Sequence, residues 1–428
     1  MTTTTDLLST LTDEQLAAVA AGAGSDGETI HVAAPPGSGK TRTIAARITY
    51  LIEEVGVDPE EICCLTFTRS AAAEIRERVA EAIGPALASH ATLGTFHEVA
   101  IRLGPHRGDI EPASEIEVGS AIDTLYRGPT RRPMRELPSQ RALERAIMME
   151  AAAGTLKPGR DGKAVRLVAN RIREAGWFPL FDVIREATEH PELRSFQHIL
   201  VDESQDCTPA EIAFANRLTA APWGTLYAVG DMAQAIMEWR GAAPDRWPSP
   251  THRLTRSFRF GQQIAEVSNR LRTGEPVTPN PDVLSTVERI PFEEIDHREF
   301  GPELAILTRT RADSQMVADL YPERCRLVRR DPLDPLGSGA DKLAEAREAG
   351  LTPIVTVHFA KGREWDRVLI LGPTSMSRPW GEAEGAENEE QRVMYVAMTR
   401  ARKELVLVNR MPERPVSDRW IPRGCGLL

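Results

Sequence analysis

His31 to Thr43 reads HVAAPPGSGKTRT. An apolar strand pattern runs into Gly37-Ser38-Gly39-Lys40-Thr41, and a helical pattern starts directly after it. This is the order that a phosphate-binding loop requires. Glycines let backbone N–H groups approach the phosphates, Lys40 neutralises β/γ charge, and the Thr41 hydroxyl is offered to Mg²⁺. Ala34 stands where the usual pattern has its first glycine, so the loop is a variant. Strand, loop and helix in this order predict an α/β fold built on a parallel sheet.

The strand signature recurs outward from this loop. ETIHVAA, EEICCLTFT, FQHILVDE, WGTLYAVGD, ELAILTRT, TPIVTVHF and DRVLILGP are short runs rich in Val, Ile, Leu and Thr, each closed by a polar or Gly-containing turn. Continuous apolar runs of this length are predicted to be buried parallel strands. Helical patterns such as RSAAAEIRERVAEAI separate many of them, and the runs fall into two groups, before and after about residue 250. Within the first group, from Ile101 to Glu192, the strand pattern gives way to Ala-, Arg- and Glu-rich helical segments broken by Gly and Pro. The expected division is therefore a first α/β domain from residues 1–100 and 193–252, a helical insertion over 101–192, and a second α/β domain over 253–428.

Composition narrows the class. The 428 residues carry a formal net charge of −10 with 41% hydrophobic content, enough for two or more cores. An acidic total argues against indiscriminate polyanion binding, but a local basic groove remains compatible with it. Cys63, Cys64, Cys207, Cys325 and Cys425 form no CxxC pair and no zinc-like cluster, which predicts reduced thiols in an intracellular protein. The N-terminal stretch lacks a basic region followed by an apolar core, and no run is long enough to span a bilayer. The expectation is a cytoplasmic protein, and heavy use of Ala, Arg and Gly points to a GC-rich bacterial or phage genome.

Asp202, Glu203 and Asp206 crowd the turn after the FQHIL run. Alone, such a turn reads as solvated acid. In a chain with a phosphate loop it has a sharper use: Asp202 to hold Mg²⁺ and Glu203 to orient and deprotonate the attacking water. ATP and Mg²⁺ are the cofactors this pairing implies.

With these motifs in place, the chain resembles the superfamily 1 helicases of the UvrD/Rep/PcrA type, in order along nearly its whole length. LTDEQ resembles the element that sets a glutamine on the adenine edge, here Gln15, with Thr12 in place of the usual Asn; Arg42 follows the phosphate loop. LTFTRSAAAEIRERV and TLGTFHEVA resemble the strand-contacting elements, with Phe67, Thr95, Phe96 and His97 at matching positions. VDESQD is the Mg²⁺ and base motif, and VGDMAQAIMEWRGA resembles the segment joining γ-phosphate to bound strand, through Gln234, Trp239 and Arg240. LTRSFRFGQQI, TVHFAKGREWDRV and EEQRVMYVAMTRARKEL match the later motifs, bringing Phe258 to the adenine, Arg259 and Arg400 to the γ-phosphate, and Glu364 and His358 to ribose and strand.

The resemblance implies two RecA-like motor domains stepping 3′→5′ on single-stranded DNA or its junction with duplex, driven by ATP, with a protein partner possible in a repair, recombination or defence setting. Stacking of bases on Phe67 and Trp239 and core packing of the same rings are both open on the residues alone, as are turn-capping roles for His97 and His358. The basic tracts RGPTRRPMRELPSQRALERA and KPGRDGKAVRLVANRIR suit either phosphate contact or solvated helix faces. Two departures stand out: Met237 replaces the usual aromatic, and the interval from LAILTRT to TVH is far too short for the family's large second helical insertion. The alternative reading is a DNA-stimulated ATPase subunit that unwinds little by itself. A nucleotide-gated binder without hydrolysis is the third, which the full set of Lys40, Asp202, Glu203, Gln234 and Arg400 opposes.

Overall fold

The computed structural model describes residues 4–24, 27–105, 113, 115–127, 138–154, 160–220, 222–329, 339–372 and 386–408. The first sheet contains β1 (Thr29–Ala33), β2 (Ile62–Thr66), β3 (Thr92–Thr95), β4 (His198–Val201), β5 (Thr225–Gly230) and β6 (His252–Arg253). The second contains β7 (Thr286–Ile290), β8 (Leu304–Thr308), β9 (Cys325–Leu327), β10 (Thr352–Thr356), β11 (Trp365–Leu371) and β12 (Ala401–Val408). Strand orders are β3-β2-β4-β5-β1-β6 and β7-β12-β11-β8-β10-β9, and the pairings are parallel throughout. The α/β architecture read from the sequence is the one observed.

The reason lies in the central strands. β2, β4, β5 and β8 are buried along their whole length. On β2, β4 and β5 alternate side chains serve two different cores. Cys63, Leu65, Ile199, Val201, Leu226 and Ala228 face one; Ile62, Cys64, Leu200, Tyr227 and Val229 face the other. Each such Leu, Ile or Val contributes roughly 1.5–3 kcal/mol over an exposed position. Helix Lys40–Glu53 closes one face through Ile44, Ile48 and Leu51, while Phe96–Leu103 and Val183–Glu189 close the other.

Helices Glu115–Arg127, Gln140–Ala153 and Arg160–Glu174 enclose a smaller core of Val118, Ile122, Leu143, Ile147, Val165, Val168 and Ile172. Much of the two basic tracts, residues 128–137 and 155–159, lies outside the described residues, as do Cys425 and residues 379–385 of the acidic loop. Of the described cations, Arg171 pairs with Glu174 at 3.0 Å and Arg173 with Asp182 at 3.0 Å, so these two are compensated within the protein. Between β8 and β10, the described residues form only helix Arg311–Leu320, β9 and helix Ala340–Glu348. No described helix is long and apolar enough to cross a membrane. Cys63, Cys64, Cys207 and Cys325 are free and buried, and burial pushes the Cys63 and Cys325 thiols up to about 12.

Candidate nucleotide site and strand-binding face

The carboxyl ends of the first sheet's strands carry the motif residues. This is where ligands bind in parallel α/β sheets. The phosphate loop follows β1, Phe67 follows β2, Thr95 to His97 end β3, Asp202 and Glu203 follow β4, and Asp231 to Gln234 follow β5.

Gly37 and Gly39 hold the loop in left-handed conformations, with φ of 74° and 82°. At Gly37 the requirement is also one of space, because a Cβ would come within 2.5 Å of both Arg259 Cβ and Ser257 Oγ. The Phe258 N–H donates to Gly37 O at 2.7 Å, so the second domain touches the phosphate loop directly. Ser38 Oγ donates to Pro35 O at 2.8 Å, Lys40 Nζ to Ala34 O at 3.3 Å, and Thr41 lies in the first turn of helix Lys40–Glu53. The Lys40 contact is long, which leaves the ammonium available to a phosphate.

Gln15 lies against the phosphate loop. It is buried, its Oε1 accepts the Thr12 N–H at 3.0 Å and its Nε2 donates to Ser38 O at 2.9 Å. The side chain caps its own helix and braces the phosphate loop, which leaves one amide hydrogen and the second lone pair of Oε1 for an adenine. The usual Asn position is Thr12, whose hydroxyl completes this capping box. Arg42 points away from the loop and hydrogen-bonds Thr10 O at 3.3 Å.

The Asp202 N–H donates to Leu65 O at 2.9 Å, and the Glu203 N–H donates to Asp202 Oδ1 at 2.8 Å. Glu203 has a φ of 50°, the one positive value outside glycine among the described residues. Such backbone costs of order 1–3 kcal/mol and persists where the surroundings over-determine it. Gln205 supplies part of that constraint: its Nε2 donates to Glu203 Oε2 at 2.7 Å and its Oε1 accepts the Asp231 N–H at 2.9 Å. Burial and the Glu203 charge push the Asp202 carboxyl up to about 7. For Glu203, burial pushes upward as well, but Lys40, Lys361, the Gln205 hydrogen bond and Arg400 outweigh it and bring the group to about 2. Glu203 is thus ionised, while the Asp202 carboxyl, raised despite the Lys40 charge, is the group that a divalent cation would draw into its ionised form. Among the described residues no group of three or more His, Cys, Asp or Glu is arranged to hold a metal; Thr41, Asp202 and phosphate oxygens would share it.

Arg400 and Arg259 reach this site from the second domain. Arg400 is buried, donates from Nη2 to Gln234 Oε1 at 2.9 Å, and is drawn down to about 9 by burial and by Arg259. Gln234 Nε2 in turn donates to Asp231 Oδ2 at 3.0 Å. Arg259 pairs with Glu364 at 2.5 Å and donates to Thr399 O at 2.8 Å. Glu364 also accepts from Arg402 Nε at 2.9 Å, so it holds the arginines of its own domain. Phe258 is part-exposed beside the loop with the Arg256 guanidinium 5.3 Å from its ring centroid.

On the candidate strand-binding face Trp239 is 49% exposed and meets His358 edge-on at 6.1 Å. His358 Nε2 has no hydrogen-bond partner, and burial with Arg309 and Lys361 nearby pushes the imidazole down to about 4. Phe67 is half-buried, tilted against Phe96 at 5.4 Å, with the Arg240 guanidinium 5.0 Å from its ring centroid. Arg240 also pairs with Glu211 at 3.3 Å. Phe96 is a correction: at 1% exposure it belongs to the core beneath β2 and β4 and presents no face to a base. Thr95 caps helix Phe96–Leu103 in a capping box with Glu98, and His97 lies half-buried in its first turn.

Three cations that motif reading leaves without a role bridge the two domains. Lys361 pairs with Asp206 at 2.6 Å and donates to Gln234 O. Arg272 donates from Nη1 to Asp231 Oδ2 at 2.9 Å and to Tyr395 Oη at 2.5 Å. Arg392 pairs with Glu238 at 2.5 Å. No local pattern reports such pairs, since each joins residues more than forty positions apart.

Two parallel-sheet domains that close on a phosphate loop, one carrying the carboxylates and the other the arginines, define a RecA-like motor class. Comparison with known proteins gives the family. The UvrD/REP helicase N-terminal domain model matches residues 11–116 and 179–251, and the UvrD-like helicase C-terminal domain model matches 338–410. The chain belongs to the UvrD-type helicases. It is 25% identical over 87% of its length to a probable DNA helicase of Mycoplasma pneumoniae, covering 79% of that protein. It is 27% identical over 73% of its length to DNA helicase II of Escherichia coli, and 29% identical over 57% to ATP-dependent DNA helicase UvrD1 of Mycobacterium leprae. It spans 50% and 37% of those two proteins.

Proposed function

We propose that this chain is an ATP-driven motor that steps along single-stranded DNA. The observation that carries the reading is that Lys40, Asp202, Glu203 and Gln234 share a cleft with Arg259 and Arg400 of the opposite domain. Phosphates would lie against the loop amides and Lys40, with Mg²⁺ held by Thr41 and Asp202 to neutralise β/γ charge. Glu203, ionised and fixed by Gln205, would take the proton of the attacking water. Arg259 and Arg400 now rest on Glu364 and Gln234. A γ-phosphate would displace both partners, tying hydrolysis to cleft closure as an arginine finger does. Trp239, Phe67, Arg240 and His358 would grip the strand in alternation, with stacking rather than base-edge reading giving sequence tolerance.

The direction we propose is 3′→5′, by resemblance to the family. Release of streptavidin from biotin at either end of an oligonucleotide tests it: release from the 5′ end alone supports the reading, and release from the 3′ end alone, or from neither, contradicts it. The short interval between β8 and β10 favours a second reading, an ATPase that tracks DNA and unwinds weakly without a partner protein.

A further inference from the structure

Segment Asp231–Arg240 carries Gln234, which the proposed function sets against the nucleotide, and Trp239, which it sets against the strand, and the second domain grips it at several points. Most of these grips end at the nucleotide side. Glu238 with Arg392 is different, because Glu238 is the residue before Trp239 in the short helical turn Glu238–Arg240. Arg392 donates from Nη2 to Glu238 Oε1 at 2.5 Å and from Nε to Ala235 O at 2.7 Å. It projects from helix Ala386–Met398, whose last turn runs directly into Thr399 and Arg400. The Arg400 Nε donates back to Val396 O at 2.9 Å, so the arginine is fastened to that same helix. A rigid helix therefore connects a turn that would move with a stacked base to the guanidinium that would meet the γ-phosphate.

The partial exposure of the pair also matters. Arg392 is 17% exposed and Glu238 is 40% exposed, so loss of Arg392 leaves Glu238 largely solvated and loss of Glu238 leaves Arg392 on the Ala235 carbonyl. Glu389 stands nearby, its carboxyl raised by burial and by the Glu238 charge against the opposing pull of Arg392. The Ala235 carbonyl anchors Arg392, and Glu238 supplies the link to the strand-facing turn.

We propose that Glu238 and Arg392 are positioning residues that transmit strand occupancy at Trp239 to Arg400, so that the pair sets how far DNA stimulates hydrolysis. This rests on the reading of the chain as a DNA-stimulated ATPase. Neither residue touches nucleotide or strand in this account. Without the pair, basal turnover and the DNA concentration for half-maximal stimulation are unchanged, and only the maximal stimulation falls.

The test is ATP hydrolysis by the full chain across a titration of oligo(dT), for wild type, Glu238→Ala, Arg392→Ala and the double variant E238A/R392A. The expected result is an approximately fivefold loss of maximal stimulation in each single variant, matching a pair coupling of order 1 kcal/mol, with no further loss in the double variant. Stimulation equal to wild type in Glu238→Ala would overturn the proposal while leaving the motor reading intact. Losses that add in the double variant would also overturn it, since each effect would then belong to one side chain and not to the pair. Wild-type hydrolysis indifferent to DNA would instead overturn the motor reading and the proposal with it.

Discussion

Arg272→Met is the substitution whose effect the structure constrains most closely. The Arg272 side chain is 10% exposed and its partner Asp231 only 3% exposed, at 2.9 Å. The same guanidinium reaches Tyr395 Oη and caps Glu275 O at 2.7 Å. The methionine fills similar volume but leaves Asp231 buried beside Gln234 without a cation. Breaking a buried pair from one side costs about 3–5 kcal/mol. Arg272 and Tyr395 come from the second domain and Asp231 from the first, so the cost falls on the engaged state of the cleft. If the lower figure is expressed in that state alone, kcat/KM for ATP at saturating strand falls roughly 150-fold. Steady-state hydrolysis with oligo(dT), read together with thermal melting, measures both parts. Adding Asp231→Asn to Arg272→Met removes the stranded charge and recovers a large share of the loss. A kcat/KM within twofold of wild type, with unchanged melting, would refute the reasoning that this pair holds the domains in register.

Other outcomes follow from the same geometry. Arg400→Ala and Arg259→Ala each lower kcat with DNA by about 10³-fold while nucleotide affinity, read by a fluorescent ATP analogue, moves little. Trp239→Ala weakens single-stranded DNA binding by roughly 1–3 kcal/mol in fluorescence anisotropy and leaves melting near wild type, whereas Phe96→Ala costs about 3–5 kcal/mol of stability in denaturant titration because it opens a cavity under β2 and β4. His198 is buried with both ring nitrogens unpartnered, and burial followed by the Arg47 charge pushes it down to about 4. A base lowered on folding is neutral in the native state, so the unfolded chain binds the extra proton. Stability is then full above about pH 6.5 and declines toward pH 4, by up to about 3 kcal/mol from this group. Urea titrations at pH 7.5 and 5 check it, and His198→Gln flattens the difference.

The strands visible in the sequence were those buried on both faces. β2, β4, β5 and β8 have unbroken apolar runs because helices cover the sheet on either side. β3, β6, β7 and β9 escaped because each ends its row of strands or is only a few residues long. β7, TVERI, is exposed along much of its length, so it needs no second apolar face. β12 opens with Arg402 and Lys403, which look like a helix end until they pair with Glu364 and Asp366 at the start of β11.

The nucleotide residues were legible for a similar reason, since loops such as Gly37 to Thr41 carry their chemistry in consecutive positions. Arg272, Lys361 and Arg392 were not, because a cation that meets its acid across a domain boundary looks locally like any solvated one. Phe96 illustrates the converse. Its place beside Thr95 and His97 suggested a strand contact, but an apolar residue at the first position of an amphipathic helix serves the core.

ATP hydrolysis with and without single-stranded DNA, in wild type beside Glu203→Gln and Arg400→Ala, tests the central claim most directly. The account predicts strong stimulation of the wild type by DNA and its loss in both variants, with folding intact by melting. Turnover that ignores DNA, or that survives in either variant, would contradict it.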